Sequence, residues 1–377
     1  MRPSAQVTGW GKYVPERILT NDDLSRMVDT SDEWIRSRTG IAARRIAGAH
    51  ETTASMAVRA ARQALAVAGL APQKLDLIIV ATATPEYSFP ATACLVQDAL
   101  GAAHAGAFDL SAGCTGFIYG LSVAAEMIAA GRYRNILVIG AETLSRIVNW
   151  RDRNTCVLFG DGAGAVVLQP GQGGGGVLAS VLGADGSGGQ LLMIPAGGSK
   201  LPASPATIER GQHYIHMDGR EVYRFATRVI ARAARDVAGA AGVKLDDVEL
   251  LIPHQANVRI IDSAVKDLGI ARQRVYVNLQ RYGNTSAASI PIALCEAVEE
   301  GRLQPGDHAV LVGFGAGLTW GAVLVRWGVP TPVPPVPRWQ RAANWFGYRL
   351  AALRSLAIRV ARRVDAWLGE PLNGKKS

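Results

Sequence analysis

Two hydrophobic patterns alternate along the chain and predict its elements. Short, continuously apolar runs such as LIIVA (77–81) and ILVIG (136–140) are typical of parallel strands that helices cover on both faces. Longer apolar-rich runs such as AVRAARQALAVAGL (57–70) predict helices. Because helices and strands alternate in this way, the pattern indicates an α/β layered fold.

The same order of elements occurs twice. The predicted helix at 57–70 resembles IARAARDVAGAAGV (230–243), and each leads into an apolar run. An offset of 173 residues superimposes these helices and lays NILVIGA (135–141) over HAVLVGF (308–314). Three segments that keep nearly one offset predict a duplicated unit. We expect one half over residues 1–170 and the other over residues 171–330.

Composition agrees with a large buried core. The chain has 377 residues, of which 49% are hydrophobic. Its four cysteines show neither paired nor metal-ligand spacing, which predicts a reduced, cytoplasmic setting. The sequence shows no secretory leader and no run near the ~20 apolar residues of a spanning helix, so we expect a soluble protein.

The C-terminal tail, residues 338–377, follows the Pro-rich run TPVPPVP (331–337), which predicts a semi-rigid linker. Linker and tail together hold nine Lys and Arg against Asp365 and Glu370, a net of +7 out of the chain's +9. Most of the tail's arginines fall off an apolar stripe with steps of four and three, so the tail predicts a basic amphipathic helix. The stripe consists of Phe346, Leu350, Leu353, Ala357, Val360, Val364 and Trp367.

Three roles remain open for this helix. It could lie on an anionic membrane surface through residues 338–368, where tryptophans suit the boundary between lipid and water. It could instead pair with another helix or fold back on its own body, or be an extension without a specific role. Nucleic-acid binding is disfavoured, because the aromatic residues are not interleaved with the basic ones.

Cys114 is the first candidate catalytic residue. It follows a predicted strand end (107–110) and a tight turn (111–113), so we expect it in the first turn of a buried helix. There the helix dipole and unpaired backbone N–H groups would favour the thiolate and preactivate the nucleophile. Taken alone, a cysteine in an apolar segment is more often a small buried hydrophobe.

Two further polar residues are expected beside Cys114. His254 follows the predicted strand LLIP (250–253), and active groups of α/β sheets gather at the carboxyl ends of strands. Asn284 begins the second-half helix that matches the Cys114 helix of the first half. Halves packed about a pseudo-twofold axis would bring the three side chains to one cavity. Considered singly, the histidine could be a hydrogen-bonded core residue and the asparagine a helix cap.

Six motifs occur in order between about Val7 and Trp327. They are DEWIRSRTGI (32–41), the segment around Cys114, FGDGAGA (159–165), PHQAN (253–257), GNTSAAS (283–289) and GFGAGLTWG (313–321). With them the chain resembles the thiolase superfamily, and within it the beta-ketoacyl-acyl-carrier-protein synthase III family. The resemblance implies a thiolase-like, duplicated five-layer αβαβα fold and a homodimer. It also implies acyl-CoA and malonyl-acyl-carrier protein as substrates, without a cofactor or a metal.

Catalytic roles follow from the same resemblance. Cys114 matches the nucleophile, and His254 and Asn284 match the pair that stabilises decarboxylation of the malonyl thioester. A tetrahedral intermediate also needs two N–H donors, which the amides of Cys114 and Ala316 could supply as an oxyanion hole.

Binding roles are implied for three more sets of residues. The set matched to CoA binding is Trp34, Arg38, Arg153 and Asn257. The set expected around the acyl chain is Leu144, Ile147, Phe314 and Trp320, together with Phe89 contributed by the neighbouring subunit. The set matched to carrier-protein docking is Arg224, Arg259 and Lys266, in a patch where Asp267 replaces an expected basic residue.

The expected reaction is a two-step Claisen condensation that begins fatty acid chains. Three rival interpretations remain: a related condensing or acyl-transferring enzyme of specialised metabolism, a thiolase, and a membrane-associated scaffold with a degenerate site. A thiolase would carry a second cysteine where Asn284 stands. The acyl group preferred as primer stays open, since one methylene changes binding by only ~1 to 3 kcal/mol.

Overall fold

The computed structural model describes residues 4–171, 175–329 and 338–369, with side chains of the last segment described for 346–364. The predicted Pro-rich linker at 331–337 lies outside the described residues, as do residues 370–377 of the tail and the side chains of its tryptophans.

Strands and helices alternate through most of the chain. The strands are β1 (Ala5–Tyr13), β2 (Ile18–Thr20), β3 (Ala43–Arg45), β4 (Leu77–Ala81), β5 (Gly106–Leu110), β6 (Ile136–Thr143), β7 (Asp161–Pro170), β8 (Gly176–Ala184), β9 (Leu192–Met193), β10 (His216–Met217), β11 (Leu250–Pro253), β12 (His308–Gly315) and β13 (Thr319–Arg326). The helices are α1 (Asn21–Ser25), α2 (Asp32–Thr39), α3 (Thr53–Ala68), α4 (Thr92–Leu100), α5 (Gly116–Ala129), α6 (Arg153–Cys156), α7 (Pro205–Glu209), α8 (Gly219–Ala241), α9 (Val258–Leu268), α10 (Leu279–Tyr282), α11 (Ser289–Glu299) and α12 (Arg338–Gly369).

The two large sheets repeat one topology. The first has the order β1-β7-β6-β4-β5, and the second has β8-β13-β12-β11. The two sheets share one parallel pair, β4 with β6 in the first and β11 with β12 in the second, and the remaining neighbours of this shared set are antiparallel. Where the first sheet has β5, the second has a single parallel bridge between Leu251 and Val275. The predicted duplication is therefore visible strand by strand.

Helices cover both faces of both sheets. α3 packs on the outer face of the first sheet, α5 and α11 lie between the sheets, and α8 covers the outer face of the second sheet. This order gives five layers, αβαβα, and confirms the predicted fold class. β4 and β11 are buried at every position, because helices cover both faces of each sheet. This burial explains why both strands are continuously apolar in sequence.

Matching glycines end the matching outer helices. Gly69 after α3 and Gly242 after α8 adopt left-handed backbone angles, with φ of 63° and 68°. Each donates its backbone N–H to carbonyls of the last helical turn. Glycine adopts this conformation without steric cost, so both halves stop their outer helix by the same device.

The tail forms a long helix, α12, that folds back on the body of the protein. The Ser355 hydroxyl lies 2.7 Å from a carboxylate oxygen of Asp98 on α4, and the Arg359 guanidinium lies 3.4 Å from the same oxygen. Tyr348 packs under the guanidinium of Arg62, with 4.3 Å between the Arg62 Cζ and the ring centroid. The predicted basic amphipathic helix is therefore present and docked. Among the described helices, none has the length and hydropathy that crossing a bilayer requires.

Candidate active site

Cys114 lies in a single 3-10 turn, Gly113–Thr115, between β5 and α5. The sequence placed it inside the helix, but α5 starts only at Gly116, so the turn precedes the helix. An ideal Cβ on Gly315 would lie 2.6 Å from the Cys114 amide nitrogen, which explains why the end of β12 carries glycine there. This close approach fixes the turn against the second sheet.

The thiol of Cys114 is not preactivated, contrary to the expectation from the helix dipole. Burial raises its pKa to about 12, and the nearby Glu142 carboxylate acts in the same direction. A hydrogen bond from the Ser286 side chain lowers the pKa but does not compensate. Desolvation of the charged form outweighs the favourable helix start, so the free site holds a neutral thiol at neutral pH.

His254 stands directly after β11, as predicted, and is buried. Its backbone N–H donates to the Val312 carbonyl over 2.8 Å, and its Nδ1 lies 2.6 Å from the Ser289 hydroxyl oxygen. The ring packs edge-on against Phe314, with 5.3 Å between centroids. Burial lowers the pKa of His254 to about 3, so the imidazole is neutral. Its Nε2 is buried without a hydrogen-bond partner among the described residues.

Asn284 reaches the site from a loop and not from a helix start as predicted. It follows α10, and a 3-10 turn over 286–288 separates it from α11. Its backbone bridges the segment before β7, since the Asn284 N–H donates to the Leu158 carbonyl over 2.8 Å. Its Oδ1 accepts the Ser286 N–H over 2.8 Å. This bond fixes the carboxamide and leaves the Nδ2 donor for the cavity.

One buried carboxylate holds the chain segment that precedes Asn284. Glu296 on α11 accepts hydrogen bonds from three side chains of the segment that leads to the loop, at 2.8 Å, 2.6 Å and 2.5 Å; these are Asn278, Arg281 and Tyr282. Sequence reasoning missed Glu296, because nothing in the local pattern marks an inward-facing acid on a buried helix.

The three catalytic candidates meet in one cavity. Cys114, His254 and Asn284 all line a space of about 90 Å³, here called the catalytic cavity, together with Phe314 and Gly315. The duplication predicted that these three side chains meet in one cavity, and they do so in the structure. This cavity brings a sulfur nucleophile together with two neutral hydrogen-bond donors.

An inner cavity of about 520 Å³ continues from Cys114. Its lining is mostly apolar and contains Leu144 and Ile147, as predicted for the acyl chain. Sequence reasoning missed the other apolar members, which come from distant segments; they are Phe159, Leu192, Met193, Ile194 and Ile215. Ala316 also lines this space beside Cys114, as the expected oxyanion hole requires.

Two residues of the expected acyl set, Phe314 and Trp320, lie elsewhere, whereas Phe89 was expected in the pocket of the neighbouring subunit. Phe314 lines the catalytic cavity beside His254 and not the inner cavity. Trp320 packs against Phe225, with 5.9 Å between centroids, and under Arg232. Side chains alternate along β13, so Thr319 faces the Cys114 turn and Trp320 faces α8. Phe89 is 87% exposed on the loop before α4.

A surface pocket of about 1130 Å³ leads to the catalytic cavity and shares Asn257 with it. Trp34 and Arg38 line this pocket, and the guanidinium carbons of Arg38 and Arg153 lie 4.9 Å and 5.2 Å from the Trp34 ring centroid. The Asn257 Nδ2 donates to the Arg38 carbonyl over 3.0 Å. The four residues matched to CoA binding are therefore brought together at one entrance.

Two of the three expected docking residues also lie at this entrance. Arg224 and Arg259 line the surface pocket, and Lys266 is exposed in the last turn of α9. The neighbouring Asp267 forms an ion pair with Arg235 over 2.8 Å, and both side chains remain partly exposed at the surface.

Comparisons with known proteins agree with this geometry. Family models described as 3-oxoacyl-[acyl-carrier-protein (ACP)] synthase III and its C terminal match residues 108–186 and 239–327. A beta-ketoacyl-[acyl-carrier-protein] synthase III of Symbiobacterium thermophilum is 62% identical over 85% of this chain and 98% of its own length. One of Roseiflexus castenholzii is 55% identical over 86% of this chain and 98% of its own length.

A solved structure gives the same result in three dimensions. The crystal structure of 3-oxoacyl-[acyl-carrier-protein] synthase III from Aquifex aeolicus VF5 superimposes with a TM-score of 0.80 and 51% identity, over 86% of this chain and 100% of that one. The matched family models end at residue 327, so α12 is an addition to the shared fold. The chain belongs to the beta-ketoacyl-acyl-carrier-protein synthase III family.

Proposed function

We propose that the protein condenses a short acyl-CoA primer with malonyl-acyl-carrier protein and so initiates fatty acid chains. The observation that carries this proposal is the convergence of Cys114, His254 and Asn284 on one cavity, between an apolar inner cavity and an arginine-lined surface pocket. All steps use thioester and carboxylate chemistry, so the reaction calls for no cofactor.

The first half-reaction transfers the acyl group to the enzyme. The Cys114 sulfur attacks the carbonyl carbon of the acyl-CoA thioester. The bond between this carbon and the CoA sulfur then breaks, and the thiol proton ends on the CoA sulfur. The product is another reactive thioester, which a serine nucleophile would not give. The amides of Cys114 and Ala316 stabilise the intermediate oxyanion, each by roughly 3 kcal/mol.

The second half-reaction forms the carbon–carbon bond. Carbon dioxide leaves the malonyl group, and the electron pair of the broken bond enters an enolate whose oxygen faces His254 Nε2–H and Asn284 Nδ2–H. The enolate carbon attacks the acyl-Cys114 carbonyl, and the Cys114 thiolate then leaves and takes up a proton from solvent, which replaces the one lost to CoA in the first half-reaction. Neutral donors suit this step, since the buried His254 has its pKa lowered to about 3 and stays uncharged.

Substrate entry is assigned to the surface pocket. Trp34 with Arg153 offers a flat, cationic edge for the adenine end of CoA, and Arg38 and Asn257 line the way inward. The carrier protein, which is acidic, is expected at Arg224 and Arg259, with a smaller part for Lys266. Exposed charges of this kind mainly tune the encounter rate.

The assembly proposed for the enzyme is a homodimer, with Phe89 inserted into the acyl pocket of the neighbouring subunit. Exposure of 87% for a phenylalanine in one chain supports a partner at this loop. Four free thiols support the cytoplasmic location expected from the sequence. Peripheral membrane contact through residues 338–368 is a separate proposal, because it depends on α12 and not on the active site.

Replacing Cys114 tests the reaction. The Cys114→Ala variant should lose acyl transfer from acyl-CoA, because no sulfur remains to hold the acyl group. It should keep malonyl decarboxylation, because His254 and Asn284 are intact. Intact-mass spectrometry after incubation with a panel of acyl-CoA thioesters measures the first activity and the preferred primer. Release of carbon dioxide from malonyl-carrier protein measures the second.

Three outcomes would contradict the proposal. Acyl transfer that persists in Cys114→Ala would remove Cys114 from its role. Wild-type protein that is acylated but does not turn over malonyl-carrier protein would favour the rival enzyme with another acceptor, and absence of acylation would favour the scaffold.

A further inference from the structure

The docked helix α12 has two faces with different surroundings. One face rests on the enzyme body through Tyr348, Ala351 and Ser355, and an ideal Cβ on Gly101 would lie only 2.5 Å from the Ala351 Cβ. The opposite face carries most of the apolar stripe predicted from the sequence. Its described members include four large aliphatic side chains that are 47% to 69% exposed, namely Leu350, Leu353, Val360 and Val364.

This outer row cannot be buried by the enzyme's own body. Residues 350 and 364 lie about 21 Å apart along a helix that rises 1.5 Å per residue. The stripe and the docked residues are about half a helical turn apart, so rotating the helix to bury one row would expose the other. A contiguous apolar row of this length on a fixed outer face is typical of an interaction surface.

The charges beside the row indicate what it contacts. At about 100° per residue, Arg354 falls on one side of the stripe, and Arg349 and Arg363 fall on the other. No aspartate or glutamate occurs between Phe346 and Val364. Two copies joined through this same face by a twofold axis would set arginines against arginines. Anionic lipid headgroups would instead neutralise them while acyl chains receive the aliphatic row.

We propose that α12 lies flat on an anionic bilayer, with Leu350, Leu353, Val360 and Val364 inserted and the flanking arginines among the headgroups. The other face of α12 packs on α4, so the bound helix holds the synthase at that surface. The proposal goes beyond the condensation chemistry and does not depend on it, because none of the α12 side chains described, 346–364, lines the catalytic cavity.

The experiment is co-sedimentation of the full-length chain with two kinds of vesicle. One kind is phosphatidylcholine alone, and the other is phosphatidylcholine mixed with an equal amount of phosphatidylglycerol. We expect strong binding to the mixed vesicles only. The double variant Leu353→Glu with Val360→Glu should lose at least about tenfold in binding, because it places charge in the inserted row. Arg354→Gln should weaken binding about fivefold, as expected for one basic residue near the surface.

A matched control separates insertion from net charge. Ala352 is exposed on the same helix but lies away from the stripe. Ala352→Glu should therefore lower binding much less than either single glutamate substitution in the row. Condensation activity in solution, without vesicles, should be unchanged in all these variants.

Three results would overturn the proposal. Wild-type protein could fail to bind the mixed vesicles, or Ala352→Glu could weaken binding as much as Leu353→Glu. The row variants could also leave vesicle binding intact while changing the sedimentation coefficient of the free protein, which would assign the stripe to contacts between protein chains.

Discussion

At the scale of single residues, burial and the nearby helix start have opposite effects on the pKa of Cys114. Cys114 sits beside the start of α5, yet the loss of water around Sγ dominates and raises the pKa to about 12. Cys114 is therefore a neutral thiol, and not a preformed thiolate, when the substrate thioester binds. The proton leaves only as the Sγ–carbon bond forms.

The pH dependence of alkylation tests this view of Cys114. In the free enzyme the thiolate fraction should grow about tenfold per pH unit from pH 7 to pH 10, since the pKa lies above that range. Iodoacetamide labelling of Cys114, followed at peptide level by mass spectrometry, should rise throughout without a plateau. Cys94, which is exposed, reports on an accessible thiol in the same sample. A plateau for Cys114 below pH 8 would mean that the thiolate is preformed.

Ser289 is a positioning residue that the sequence did not reveal. Among the described residues, its hydroxyl has one hydrogen-bond partner, His254 Nδ1, 2.6 Å away. If the hydroxyl donates to Nδ1, both groups are satisfied and the ring proton resides on Nε2, facing the cavity. If Nδ1–H donated instead, the buried hydroxyl hydrogen would lack an acceptor, which costs free energy. The arrangement therefore favours the donor tautomer that the enolate needs.

Removing this hydroxyl should affect one half-reaction more than the other. Ser289→Ala should slow malonyl decarboxylation roughly tenfold, because His254 loses the bond that orients its ring. Acyl transfer to Cys114 should stay near the wild-type rate, since its oxyanion faces backbone amides. Ser289→Thr, which keeps a hydroxyl, should restore much of the lost rate.

Ser122→Ala serves as the matched control for Ser289→Ala. Its hydroxyl is also buried and lies 2.7 Å from the Ser180 hydroxyl, away from the catalytic cavity. Equal losses in both half-reactions for Ser289→Ala, or the same pattern in Ser122→Ala, would indicate a general effect on the fold.

At the scale of elements, the starts and ends of matching helices have the same backbone structure in the two halves. The Cys114 turn and the 286–288 turn both precede a buried helix, and this matched insertion of a 3-10 turn places Cys114 and Asn284 at the cavity. Outer helices α3 and α8 end on left-handed glycines at the repeat offset. The two halves therefore share these turns and helix-ending glycines as well as their apolar patterns.

Two alanine substitutions near the end of α8 should have opposite effects. A Cβ would meet no atom within 4 Å at Gly239 or at Gly242, so backbone conformation alone distinguishes them. Gly242→Ala should lower the free energy of unfolding by about 1 kcal/mol, because φ is 68° there. Gly239→Ala, inside the helix, should raise it by up to about 1 kcal/mol. Urea unfolding measures both, and a Gly242→Ala variant as stable as wild type would contradict this account.

At the scale of the whole molecule, the first sheet ends at a strand that no other described strand pairs on its outer side. β5 is the edge strand of the first sheet and is only partly buried, and the nearby loop extends Phe89 into solvent. Both features fit a twofold partner that pairs along this edge. In such a dimer each site would depend on a residue of the other chain.

Mixed dimers test this dependence directly. Phe89→Ala and Cys114→Ala homodimers should both be weakly active or inactive in condensation. A heterodimer of one chain of each kind should recover about half the wild-type activity, because one of its two sites is complete. Differently tagged, co-expressed chains allow its isolation. A heterodimer no more active than the Phe89→Ala homodimer would show that Phe89 does not act across the interface.

The sequence by itself determined the fold class and the duplication, and it predicted the three residues proposed for catalysis. Apolar runs and motifs are local signals, and the repeat offset is a periodic one, so all of them can be read along the chain without knowing which distant segments pack together. The amphipathic nature of α12 was readable for the same reason.

Only the tertiary structure decided the electrostatics and the lining of the site. The neutral thiol of Cys114, the Ser289 contact with His254 and the turn of Trp320 toward α8 all depend on which distant segments exclude water or pack together. Which face of α12 rests on α4 was likewise set by partners such as Asp98, some 250 residues away in the chain. Desolvation and packing act through space, so no pattern along the chain could fix them.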